Sequence, residues 1–189
     1  MSSQTPVHDA LAESLGAPLD RVRAKISPVL HAWLREFITL SPYVVMASAD
    51  GTGHCDASPR GGVPGFVRIL DERTLFVPEE SGNRLLQTLH NLRENPGIGL
   101  LFLIPGMRET VRVNGHAEPL SQEDSRWGGL PLDEDERARY RWGTLVHVSE
   151  AYYHCGRASK FGDLWNTADI ERNLADPPLP KRPPGTPTR

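Results

Sequence analysis

A mainly β fold of the α+β class, with its strands antiparallel, is predicted by three observations on this 189-residue chain. About six runs of β-type composition are joined mostly by short turns, which suits hairpins. A single Leu-rich helical segment interrupts them, whereas a doubly wound parallel sheet needs a helix between most strands. The remaining helical patterns gather towards the two ends of the chain. A small barrel with helical decoration satisfies all three.

Taken in order, residues 8 to 16 and the stretch "PLDRVRAKI" predict short helices. Ser27 is placed to cap and Pro28 to open a clearer helix, in which Val29, Leu30, Trp33, Leu34, Phe37 and Ile38 recur at helical spacing. "YVVMASA" reads as a strand, Asp50-Gly51-Thr52-Gly53 as a turn, and "HCDAS" as the returning strand. "GFVRIL" and "TLFVP" flank Asp71-Glu72-Arg73 as a second hairpin. A helix over "NRLLQTLHNLREN" puts Leu85, Leu86, Leu89 and Leu92 on one face, with Pro96 beyond its end. "IGLLFLI" and "ETVRVNGHAEPL" form a hairpin about "PGM", and "SQEDSRW" and "DEDERARYR" are short polar helices. "WGTLVHVS" is a last strand, and "EAYYHCGRASKFGDLW" a closing helix that Ser149 could cap. The organisation expected is a helical extension over 1–26, a barrel domain over 27–175, and a proline-rich, extended and mobile tail over 176–189.

A formal charge of −3 provides no basic field, so nucleic acid is not expected as a partner. No window approaches the roughly 18 apolar residues that span a bilayer. The first residues lack a basic-then-apolar leader, and two cysteines make no disulfide framework, so a cytoplasmic protein is expected.

Chemistry concentrates in two segments. In "VPEESGNRLLQTL", residues 77–89, a helix opens at Gly82-Asn83-Arg84. Unpaired amides and the positive end of the helix dipole suit a phosphate there, and Arg84 and Asn83 add donors. The plain alternative is a capped helix with a solvated arginine. In "HCDASPRGGVPGFVRIL", residues 54–70, the glycines after Arg60 permit close approach of another group, although a wide loop explains them as well. If the two segments are neighbours, Arg60 and Arg84 converge on one anion. The His54-Cys55 and His154-Cys155 pairs lack metal-site spacing, so no metal is expected. His154, Arg157 and Lys160 share a helical spacing, which makes them candidates for substrate or phosphate contact or else a solvated face. Trp142 and Trp165 read as structural. The acidic run 133–136 reads as a helix start, and no nucleophile elbow or nucleotide phosphate loop is present.

The order "DASPRGG…GFVRILDERTLFVPEESGNRLLQTLHNLRENPGIGLLFLIPG…ETVRVNGHAE", followed by "YYHCGRASKFGDLW", resembles the pyridoxamine 5'-phosphate oxidase-like FMN-binding split-barrel proteins. The likeness is to a general bacterial flavoprotein branch and covers roughly residues 28–166. It implies a six-stranded split barrel that dimerises and holds FMN in a groove between subunits. By motif match Arg60, Asn83 and Arg84 would face the FMN phosphate, while Ser58, Pro59, Gly61, Val77 and Pro78 would line the rest of the cofactor. Arg112 would reach the flavin from the other subunit. Relatives that bind deazaflavin or haem make these the alternatives to FMN. The segment by which vitamin B6 oxidases hold pyridoxal phosphate is missing from the C-terminal stretch. The function implied is an oxidoreductase passing hydride or electrons between the flavin and a reduced nicotinamide or small organic substrate. A non-catalytic FMN storage, carrier or sensor protein is the alternative.

Overall fold

A computed structural model describes residues 13–17, 19–80 and 85–179. Half of the expected N-terminal extension and the last ten residues of the tail fall outside that range, as do Asn83 and Arg84. After a short helix α1 (Asp20–Arg23), the body opens with α2 (Ala32–Leu40), which buries Leu34, Phe37 and Ile38. The strands are β1 (Tyr43–Ala49), β2 (Cys55–Gly61), β3 (Arg68–Ile69) and β4 (Thr74–Glu79) before helix α3 (Gln87–Glu94). β5 (Gly97–Leu103), β6 (Thr110–Ser121) and β7 (Trp142–His154) follow, with α4 (Glu134–Arg139) between the last two. Helices α5 (Arg157–Phe161) and α6 (Thr167–Ala175) end the fold.

All strands lie in one sheet of order β2-β1-β5-β6-β7-β4-β3, and every pair is antiparallel. Strict alternation explains why the runs became strands. Val44, Met46 and Ser48 of β1 and Ile98, Leu100 and Phe102 of β5 are buried, and their neighbours are not. The inward set joins Val111, Val113, Val146, Leu34 and Ile38 in the main core. A second cluster gathers Phe76, Leu120, Trp127, Leu130, Leu132 and Tyr140, with Trp127 edge-on to Phe76.

Five expectations are revised. The sheet has seven strands and is not closed, because β2 and β3 end its order unpaired to one another. "GFVRIL" supplies only the two-residue β3, since Phe66 and Val67 turn into the core. α2 starts at Ala32: Ser27 bridges Ala151 of β7 instead, and its hydroxyl turns on Val29. α3 starts at Gln87, because Leu86 adopts a left-handed conformation (φ 55°) that cannot continue a helix backwards. "EAYYH" is strand, paired to β6 as far as Thr110 opposite His154, and the closing helix is confined to Arg157–Phe161. Ser149 therefore caps nothing.

Candidate functional site

The "SPRG" segment is the second half of β2, an edge strand paired only to β1, with Pro59 opposite Val45 and Arg60 opposite Val44. An edge tolerates proline because the strand has no second partner to serve. Alternation turns Asp56, Ser58 and Arg60 inward and leaves Cys55, Ala57, Pro59 and Gly61 exposed.

β2 and β4 are not neighbours in the sheet: four strands stand between them in the order. They nevertheless meet, because the sheet curls until Arg60 and Glu79 form an ion pair with Nη2 2.9 Å from Oε2. Arg60 Nε also donates to Glu79 Oε2 at 3.0 Å, and both side chains are less than one-fifth exposed. Helix α3 spans the same seam. Buried Asn91 donates to Ser48 Oγ of β1 at 3.0 Å and to Asp56 Oδ2 of β2 at 2.8 Å. At the start of the helix, Thr88 Oγ1 accepts from Arg60 Nη2 at 3.5 Å.

A cavity of about 1190 Å³ opens here. It is lined by Ser58, Pro59, Arg60, Gly61 and Pro78, by the start of α3 from Gln87 to Leu89, and by Tyr43, Phe66, Tyr140 and Trp142. The N-cap residue Leu86 makes no side-chain cap, and the start of α3 borders the cavity. A helix start, an arginine fork and aromatic walls form the donor set for an anionic group carrying a flat, partly apolar body. Among its acidic residues, Glu79 pairs with Arg60 and Glu80 with Arg139. Burial pushes the Tyr140 phenol up from its ordinary value.

The expected site residues divide into five groups. Ser58, Pro59, Arg60, Gly61 and Pro78 come together at the cavity. Val77 is 1 % exposed in the main core, beside the cavity wall formed by Pro78. Asn83 and Arg84 lie outside the described residues. Arg112 and His154 do not line the cavity and lie on the face of the sheet opposite to Arg60: Arg112 Nη1 donates to Tyr152 Oη at 2.9 Å, and the His154 ring stands 4.9 Å from that of Tyr152. Arg157 and Lys160 are on α5, away from the cavity, with Arg157 over the Phe161 ring. His154 therefore does not share a helix face with them. Trp142, expected to be structural, is 47 % exposed at the cavity wall. Sequence reasoning also missed Tyr43, Thr88 and Glu79. The "VPEE" run signalled acid beside the predicted phosphate segment, but nothing local showed that it would meet Arg60.

Among the described residues no group of three or more His, Cys, Asp or Glu side chains is placed to hold a metal ion, and no helix is long and apolar enough to cross a membrane.

A structure of a candidate pyridoxamine 5'-phosphate oxidase from Lactobacillus delbrueckii is similar with TM-score 0.51 and 17 % identity, covering 67 % of this chain and 95 % of the other. A single-substitution variant of HupZ from Group A Streptococcus aligns with TM-score 0.49 and 15 % identity over 66 % of this chain and 99 % of its own. HutZ of Vibrio cholerae, described as a haem storage protein, aligns with TM-score 0.48 and 11 % identity over 67 % and 94 %. No curated protein matches the sequence. The family profile described as pyridoxamine 5'-phosphate oxidase matches residues 30–155, about two thirds of the chain, and the protein belongs to that family.

Proposed function

We propose that this protein is an FMN-binding flavoprotein, and that it acts as an oxidoreductase between the flavin and a reduced nicotinamide or small organic substrate. The observation that carries the proposal is the cavity in which Arg60, the start of α3 and an aromatic wall are brought together across the seam of the sheet. Flavin mononucleotide fits that donor set: a phosphate for the guanidinium and helix amides, and a flat ring system for Tyr43, Tyr140 and Trp142. When bound, the flavin supplies hydride and electron transfer. The chain's own residues bind and orient it. Arg60 and the helix amides hold the phosphate, backbone groups of Ser58, Pro59, Gly61, Val77 and Pro78 border the remainder, and Asn83 and Arg84 belong to the phosphate end.

The proposal includes a homodimer. The outer face of the sheet carries the row Pro59, Val45, Leu101, with Ala57, Ala47 and Gly99 beside it, by the observed register. These residues are exposed or half-buried although small or apolar, and no described segment covers them. Leu101 pairs with Arg112, so a partner docking on this face would meet Arg112, Tyr152 and His154. Arg112 is then placed to serve the partner's cavity and not its own.

The test is the visible absorbance spectrum of the purified protein, followed by titration with FMN. Saturable binding near one FMN per chain is expected. Arg60→Ala should weaken it about ten- to a hundredfold, the worth of a charge-assisted hydrogen bond, while leaving the fold intact. A colourless protein that ignores FMN refutes the proposal. Anaerobic reduction of bound FMN by a reduced nicotinamide separates an oxidoreductase from a carrier.

A further inference from the structure

A guanidinium has five N–H donors, and on Arg60 four are committed within the chain. Nε and Nη2 both reach Glu79 Oε2, at 3.0 and 2.9 Å. The second Nη2 donor faces Thr88 Oγ1, and one Nη1 donor bonds Pro59 O at 3.0 Å. The Nε/Nη2 edge, one of the forks an arginine offers to two phosphate oxygens, is therefore held by a carboxylate. That carboxylate lines the same cavity as the fork. With both side chains below one-fifth exposed, solvent does little to screen a second anion brought alongside. A phosphate and Glu79 cannot both keep this edge.

We propose that Glu79 is an internal stand-in for the anionic end of the ligand. A phosphate monoester binds by displacing it from Arg60, so Glu79 sets the preference of the site between a phosphorylated flavin and its dephosphorylated form. The displaced carboxylate has cations to turn towards, since Arg93 and Arg141 line the cavity and have no ion pair among the described residues. A ligand lacking phosphate leaves the Arg60–Glu79 pair in place and gains nothing from its removal. The choice of flavin rests on the function proposed above; the displacement itself requires only a phosphate.

The experiment compares wild type, Glu79→Gln and Glu79→Asp in two assays. FMN and riboflavin are each titrated by flavin fluorescence, and thermal unfolding is followed with and without inorganic phosphate. Glutamine keeps the side-chain volume and a carbonyl for Arg60 but removes the competing charge. Glu79→Gln is expected to bind FMN about tenfold more tightly, with riboflavin unchanged, since removing a rival anion acts only on the phosphate. It should also be stabilised more than wild type by the same phosphate concentration. Glu79→Asp, which keeps the charge, should stay close to wild type in its FMN-to-riboflavin ratio and serves if the glutamine variant does not fold. Weaker or unchanged FMN binding in Glu79→Gln overturns the proposal, because Glu79 then only orients Arg60. A raised FMN-to-riboflavin ratio in Glu79→Asp also overturns it. If no protein binds either flavin, the flavin reading fails alone: a greater phosphate response in Glu79→Gln still upholds the displacement, and an equal or smaller one removes it.

Discussion

Two arginines on strands face opposite sides of the sheet and have opposite consequences for their neighbours. Arg60 is drawn inward to Glu79, whereas Arg112 stands on the outer face and presses on His154. Burial first, then the Arg112 and Lys25 charges, hold the His154 imidazole below its ordinary value, and Nε2 is buried with no hydrogen-bond partner among the described residues. The unfolded chain binds that proton more readily than the folded one. The stability tied to neutral His154 is therefore complete above pH ~6.5 and is lost as pH falls through that value towards the lower folded pKa. Thermal unfolding midpoints recorded from pH 7.5 down to 5 should fall by a few degrees more in wild type than in His154→Gln. Parallel curves would mean that His154 is not the group responsible. The chemistry of Arg60 was legible from its glycine neighbours. Its partner was not, because the two are 19 residues apart and meet across strands that share no hydrogen bonds.

Among the elements, the long β6–β7 pair decides most of what the sequence pattern misjudged. It carries a register shift between Asn114 and Gly115, and Gly115 lies so close to β7 that a Cβ there would sit 2.0 Å from the His147 carbonyl oxygen. That atom is backbone and cannot swing aside. Gly115→Ala should therefore destabilise the protein by about 1–3 kcal/mol, read as a lower denaturation midpoint at unchanged slope. A neutral substitution would show that the strands separate there without cost. The shift keeps both long strands in step, so β7 runs on through Tyr152, Tyr153 and His154 where local composition suggested a helix. Tertiary pairing overrode local preference. The α3 start failed for a different reason: the Leu periodicity ran back to Leu85, but periodicity cannot report the left-handed turn at Leu86. The hairpins themselves were readable because turn residues and alternation are local signals.

For the whole molecule, the antiparallel class and the hairpin order followed from the sequence, but the curl that joins the two ends of the sheet did not. Strand order depends on which distant surfaces are buried together, and a single sequence leaves that unstated. The outer face provides the assembly-scale prediction. Ala47→Arg, at the centre of the small-residue patch, should shift the protein from dimer to monomer in light scattering after size exclusion, because an unpaired charge would be buried against the partner. A wild-type monomer would refute the proposed dimer, and an unchanged dimer in the variant would move the interface elsewhere. Pro59 constrains how copies can meet at all. β2 is an edge with a free side, and proline withholds one of the amide donors by which an added strand would zip onto it. Growth of the sheet from chain to chain is thereby obstructed along that border. In the dimer proposed above two copies meet face to face instead, an arrangement that would end at a pair and not propagate into a fibre.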